Sequence, residues 1–182
     1  MFTNRGCLLK PVDVAVVLYL LRYPRESYAH MSAMLGISKS SAHGAVTRLE
    51  RAGLVHKLSE GGARVARGPA LEFLLFGVPY AFAPELLPRA RGVPTGFAAP
   101  GLSSEPDAPE PLALVWPSRL GESAGVGIKP LVPDAPDTAW RDPQLYRCLA
   151  LVDALRTGDA RAREYARRVF REIFEAARVG ST

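Results

Sequence analysis

A chain of 182 residues, 48% of them hydrophobic and 23% charged, buries a sizeable core without staples, which excludes a disordered tail or a disulfide-held miniprotein. No run approaches the roughly 18 consecutive apolar residues of a spanning helix, and MFTNRGCLLK has neither the apolar stretch nor the cleavage site of a secretory leader, so a cytoplasmic setting is expected. The net charge of +5 is unevenly placed: residues 1–68 carry ten Lys/Arg against four Asp/Glu, and residues 69–182 carry thirteen against fourteen. That asymmetry is expected when one part of a chain meets a polyanion.

In chain order, PVDVAVVLYLLR (11–22) predicts a helix with Pro11 in the favoured first turn and Asp13 near the positive end of the dipole. It is apolar on nearly every side, as central buried helices are. Tyr23-Pro24 stops it. Ser27 caps a second helix whose Met31, Met34 and Leu35 share a face, and Gly36 ends it. Ser38 caps a third, in which Ala42, Ala45, Val46, Leu49 and Ala52 recur at helical spacing, with Gly53 at its exit. LVHKL and ARVAR then predict two short strands around the Gly61-Gly62 turn.

ALEFLLFGVPYAF is expected to start helical and break at Gly77 and Pro79. Residues 84–111 hold seven prolines and three glycines, a density that predicts an extended strap without regular structure, onto whose neighbours Phe97 docks. LALVW and GVGIKPLV are strand candidates. Two helices close the chain, divided at Thr157-Gly158 with Asp159 as the next cap. Leu145, Leu149, Val152 and Leu155 form an apolar stripe on one, and Tyr165, Val169, Ile173 and Ala176 on the other. Two readings of these stripes stand: a helical hairpin burying itself with the strands, or a dimerisation or partner-binding module. Arg161, Arg163, Arg167, Arg168, Arg171 and Arg178 on the last helix are partly offset by Glu164, Glu172 and Glu175. The expected organisation is α+β: an N-terminal domain of helices and a hairpin over 1–80, a Pro/Gly-rich strap over 81–111 and a small C-terminal domain over 112–182.

Cys7 and Cys148 form no CxxC or Cys/His cluster, and His30, His43 and His56 are too scattered for a metal triad. Nucleophile elbows, phosphate-binding glycine loops and HExxH motifs are missing from the sequence, so no catalytic, cofactor or metal site is expected.

The stretch SYAHMSAMLGISKSSAHGAVTRLERAGLVHKL resembles the MarR, ArsR and IclR types of transcription regulator, in which a pattern like LGISKSS precedes the recognition helix and RLERAGLV leads into the wing. The resemblance implies a winged helix-turn-helix, a DNA-binding repressor and a homodimer on a palindromic operator. RGVPTGFAAPGL, PLVPDAP and DPQLYRCLALVDALRTGDARARE resemble the C-terminal part of a poorly characterised group of bacterial winged-helix proteins, with no activity attached.

The major groove admits one α-helix, whose first residues reach base edges. Ser38, Lys39, Ser40, Ser41, His43 and Gly44 match those positions, with Lys39 suited to guanine and the hydroxyls to phosphate or base. Gly44 departs from the larger polar residue that related helices often carry. Thr47, Arg48 and Arg51 follow on the outward face, the two arginines as backbone contacts, and Lys57, Arg64 and Arg67 are the basic residues of the wing. Tyr28 is a phosphate contact or a half-buried aromatic. A short regulator with a distinct C-terminal part also fits the autoregulating antitoxin of a toxin-antitoxin pair. The competing class is a winged-helix protein scaffold that reads no base.

Overall fold

The computed structural model describes residues 9–59, 62–102 and 112–179. Cys7, Gly61 and positions 103–111 of the expected strap lie outside them, as does the Arg178 side chain. The protein is mixed α+β with small sheets.

Helix α1 (Pro11–Arg22) buries every residue from Asp13 to Leu20, which explains its apolar circumference. Its tyrosine Tyr19 hydrogen-bonds His30 Nδ1 at 2.6 Å, tying α1 to α2 (Tyr28–Leu35). Burial, with the charge of Glu26 behind it, raises the Tyr19 phenol above its ordinary pKa. Helix α2 begins where the Ser27 hydroxyl accepts from the His30 amide and ends at Gly36, whose φ of 62° is the left-handed C-cap that glycine adopts at least cost. Helix α3 (Lys39–Arg51) follows a three-residue turn, and its stripe of Ala42, Ala45, Val46 and Leu49 is buried. Strands β1 (Val55–Lys57) and β2 (Ala63–Val65) form an antiparallel hairpin with Val55 opposite Val65 and His56 opposite Arg64.

The next segment does not break at Gly77 and Pro79. Helix α4 (Arg67–Glu72) runs through a π turn (Phe73–Gly77) into α5 (Val78–Ala81). The Val78 amide bonds the Phe73 carbonyl five residues back, and this wider turn accommodates Pro79, which has no amide to give.

The proline-rich stretch departs further from expectation. Residues Leu86–Thr95 form a ten-residue strand, β3, that pairs antiparallel with both β4 (Leu114–Pro117) and β5 (Ser123–Ile128). Strands β4 and β5 pair in parallel, so the three close into a miniature barrel. Pro88 sits at the register shift between Leu87 and Arg89, and Pro94 lies beyond the last β5 pairing, places where a missing amide costs no ladder bond. Closure is tight enough to need glycine: a Cβ on Gly92 would stand 2.0 Å from the Trp116 carbonyl oxygen. Phe97, as expected, is buried, its ring edge-on to Tyr165 at 5.4 Å.

Helices α6 (Thr138–Arg141), α7 (Pro143–Thr157) and α8 (Ala160–Val179) complete the chain. Inside, the Asp153 carboxylate accepts from Trp116 Nε1 at 2.6 Å, Thr95 Oγ1 at 2.9 Å and Arg156 at 2.6 Å. Arg156 also donates to the Phe82 carbonyl at 2.7 Å. One buried carboxylate thereby joins β3, β4, α7 and the end of α5. Burial pushes the Asp153 carboxyl upward against the pull of Arg156 and its hydrogen bonds.

Buried residues of the two halves form one continuous core, from Val14 in α1 to Leu149 and Phe170 in α7 and α8. The seam is also polar. Asp142 caps α7 by accepting from the Gln144 and Leu145 amides, and its other oxygen takes Arg22 Nε at 2.9 Å and the Tyr23 hydroxyl at 3.0 Å. Arg141 donates to the Ala33 carbonyl at the end of α2, and Asp134 packs against Gly36. No helix among the described residues is long and apolar enough to cross a membrane.

Candidate nucleic-acid interface

The charge at the start of α3 is arranged by its cap. Ser38 Oγ accepts from the Ser41 amide at 3.0 Å and donates to Ser41 Oγ, which turns Lys39, Ser40, Ser41 and His43 outward, all exposed. Tyr28 is half-buried and meets His43 edge to face at 5.4 Å, so it braces that imidazole. Arg51 and Arg64 are exposed and make no hydrogen bond or ion pair among the described residues.

Three of the expected contact cations point elsewhere. Arg48 donates through Nε and Nη2 to the two oxygens of Asp13, a residue with no exposed surface. Gly44 gives this guanidinium room, because a Cβ there would stand 3.3 Å from Arg48 Nη1, close enough to make it shift. The glycine thus leaves a lane for an arginine turned inward. Lys57 pairs with Glu50 at 2.7 Å and reaches Thr47 Oγ1 at 3.4 Å, while Thr47 donates to the His43 carbonyl. Arg67 donates to the Phe174 carbonyl in α8 at 2.6 Å, which anchors the foot of the hairpin to the C-terminal half.

The exposed members of the expected set are therefore Lys39, Ser40, Ser41, His43, Arg51 and Arg64, with Gly44, Tyr28, Thr47 and Arg48 at least half-buried behind the start of α3. Two residues join them that the sequence did not single out. Arg25 is exposed beside the hairpin turn, where a Cβ added to Gly62 would stand 3.3 Å from the Arg25 backbone. His56 stands directly across the hairpin from Arg64. The strand alternation carried the signal for His56, and nothing local marked Arg25.

Neither a family model, nor a curated protein, nor a solved structure matches this chain. Its chemistry therefore rests on the geometry. Among the described residues no group of His, Cys, Asp and Glu is placed to hold a metal ion, and the Cys148 thiol is buried and free.

Proposed function

We propose that the chain is a sequence-specific DNA-binding transcription regulator, a winged helix-turn-helix in which α3 enters the major groove and the β1–β2 hairpin follows the flanking backbone. The carrying observation is the cluster of donors on the first turns of α3, Lys39, Ser40, Ser41 and His43, exposed and held by the Ser38 cap. That is the part of a recognition helix that reaches base edges. Arg51, Arg64 and Arg25 supply phosphate contacts around it.

One helix reads only a few base pairs, so the reading includes a homodimer on a two-fold operator and, in the cytoplasm, repression as the simplest outcome. The antitoxin role is a narrower form of the same proposal, with the C-terminal half holding the toxin.

A second reading, a protein-interaction scaffold, is favoured by a specific observation. Arg48, Lys57 and Arg67 are engaged within the molecule, which thins the positive face, and Trp140 and Tyr80 are exposed at 57% and 72%.

Selection of genomic fragments by the purified protein at about 50 and 200 mM salt separates the two. Recovery of one short palindrome at both salts supports the regulator. Recovery that is blind to sequence and vanishes at the higher salt supports the scaffold.

A further inference from the structure

A groove of about 470 Å3 opens where the barrel meets α6 and the start of α7. Pro94, Pro100, Leu120, Trp140, Pro143 and Tyr146 line it, and Trp140 and Leu120 leave large apolar side chains in the open. No lining residue belongs to α1, α2, α3 or the hairpin, so the groove is available under either reading of the α3 face.

Its hydrogen-bonding inventory narrows the occupant. The Tyr146 hydroxyl donates to the Pro94 carbonyl at 2.6 Å, which takes up that backbone acceptor on the wall. The Trp140 indole N–H makes no hydrogen bond among the described residues. Glu122 is exposed, makes no ion pair among the described residues and is the one charged residue of the lining. The side chains therefore offer an apolar floor, one free donor and one carboxylate. An ordinary peptide would turn amide donors onto a floor that cannot accept them, at a cost for each. Proline brings no amide, and a polyproline II run carries carbonyls that no internal bond uses. Such a run is also preformed, so docking it against an aromatic ring orders little chain. Glu122 selects a basic residue beside the prolines. A second copy docked through this face about a two-fold axis is disfavoured, because it would bring Glu122 towards its own counterpart.

We propose that this groove docks a proline-rich segment of a partner protein with an arginine next to the prolines. The rings pack on Trp140, Leu120 and Pro100, a carbonyl accepts from the Trp140 indole, and the guanidinium meets Glu122.

The test is a nitrogen-15 chemical-shift titration of the full chain with the peptide acetyl-PPPRPPPPP-amide at neutral pH. Saturable shifts should centre on the Trp140 indole N–H and on the amides of Gly121, Glu122 and Ala139. The counterpart with alanine at every proline should bind at least about tenfold more weakly, because it brings amide donors and must be ordered. Glutamine in place of the peptide arginine should weaken binding about threefold, as loss of an exposed ion pair does. E122Q should then bind the arginine and glutamine peptides alike. W140A should weaken binding at least about tenfold, as loss of an aromatic anchor does, with L120A carrying the comparison should W140A fail to fold. No saturable shift at these positions, equal binding of the alanine counterpart, a W140A affinity equal to wild type, or an arginine preference that survives in E122Q overturns the site. No DNA is present, so failure here leaves the regulator reading standing, and sequence-blind fragment selection leaves this site standing.

Discussion

Arg48 on α3 grips both carboxylate oxygens of Asp13 on α1, at 2.8 and 2.5 Å, while a third contact runs from the Lys10 amide to the same carboxylate. Asp13 is fully buried and the Arg48 side chain is 21% exposed. The pair therefore sets the angle of α3 on α1. Removing Arg48 takes this counter-charge from a carboxylate that is fully buried, a loss of about 3 kcal/mol. Arg48→Met should lower the urea midpoint accordingly, and adding Asp13→Ala should recover part of it. Equal, additive losses would show that the two residues do not act as a pair.

The outward cations make a different prediction, one of kind. Lys39→Ala and His43→Ala should weaken binding to the selected operator more than binding to random duplex. Arg64→Ala should weaken both and reduce the slope of log affinity against log salt by about one. Fluorescence anisotropy on the two duplexes at several salts decides it, and equal loss on both from Lys39→Ala would remove that residue from base contact.

Gly36 carries two constraints that a pair of variants separates. Its φ is 62°, and a Cβ added there would lie 2.0 Å from Asp134 Oδ2 and 2.4 Å from Asp134 Cβ. Gly36→Ala should cost about 2 kcal/mol or more, combining left-handed strain with the clash. In an Asp134→Gly background, which removes the Cβ together with the carboxylate, the cost should fall towards the strain alone, about 1 kcal/mol. A cost unchanged by the background would mean that the loop bearing Asp134 yields freely.

Within the barrel, Asp153 serves two strands and a helix at once, and its donors can be deleted singly. Trp116→Phe and Thr95→Val each leave the carboxylate one bond short and should cost about 1–3 kcal/mol. Asp153→Ala strands the Arg156 guanidinium, 5% exposed, and should cost more, about 3–5 kcal/mol. Thermal melts followed in the near ultraviolet would report the order, and an Asp153→Ala protein as stable as Thr95→Val would refute the network.

Alkaline pH supplies a signed prediction. Burial pushes the Cys148 thiol up to about 12 from an ordinary 9.0 and the Tyr146 phenol up to about 12 from 10.0. The native state therefore keeps protons that the unfolded chain releases. Stability is full below pH 9 and falls as the pH rises from about 9 to about 12, by about 1.4 kcal/mol per pH unit from Cys148 once its unfolded thiol has ionised. Denaturant curves between pH 8 and 10 should show the decline, and Cys148→Ala should flatten it over that interval. A decline unchanged in Cys148→Ala would assign it to other groups.

What the sequence determined by itself is the chain from Pro11 to Val65, whose signals are local. Ser27 and Ser38 satisfy amides three residues on, Gly36 supplies a positive φ, and the apolar spacing of α3 selects its buried face, so each boundary follows from residues within one or two turns. The outward position of Lys39, Ser40, Ser41 and His43 follows from the same periodicity. Only the tertiary structure decided where Arg48, Lys57 and Arg67 point, because a cation's destination depends on which carboxylate or carbonyl the fold brings near: Asp13 lies 35 positions away, and the Phe174 carbonyl 107. The same holds for β3. Its prolines count against a strand in any local window, yet pairing with β4 and β5 supplies the missing stability, and those prolines fall at the bulge and beyond the β5 pairing, where no partner needs their amide. Helical periodicity and caps are written in neighbouring residues, whereas strand pairing and ion-pair choice are settled between segments that meet only on folding.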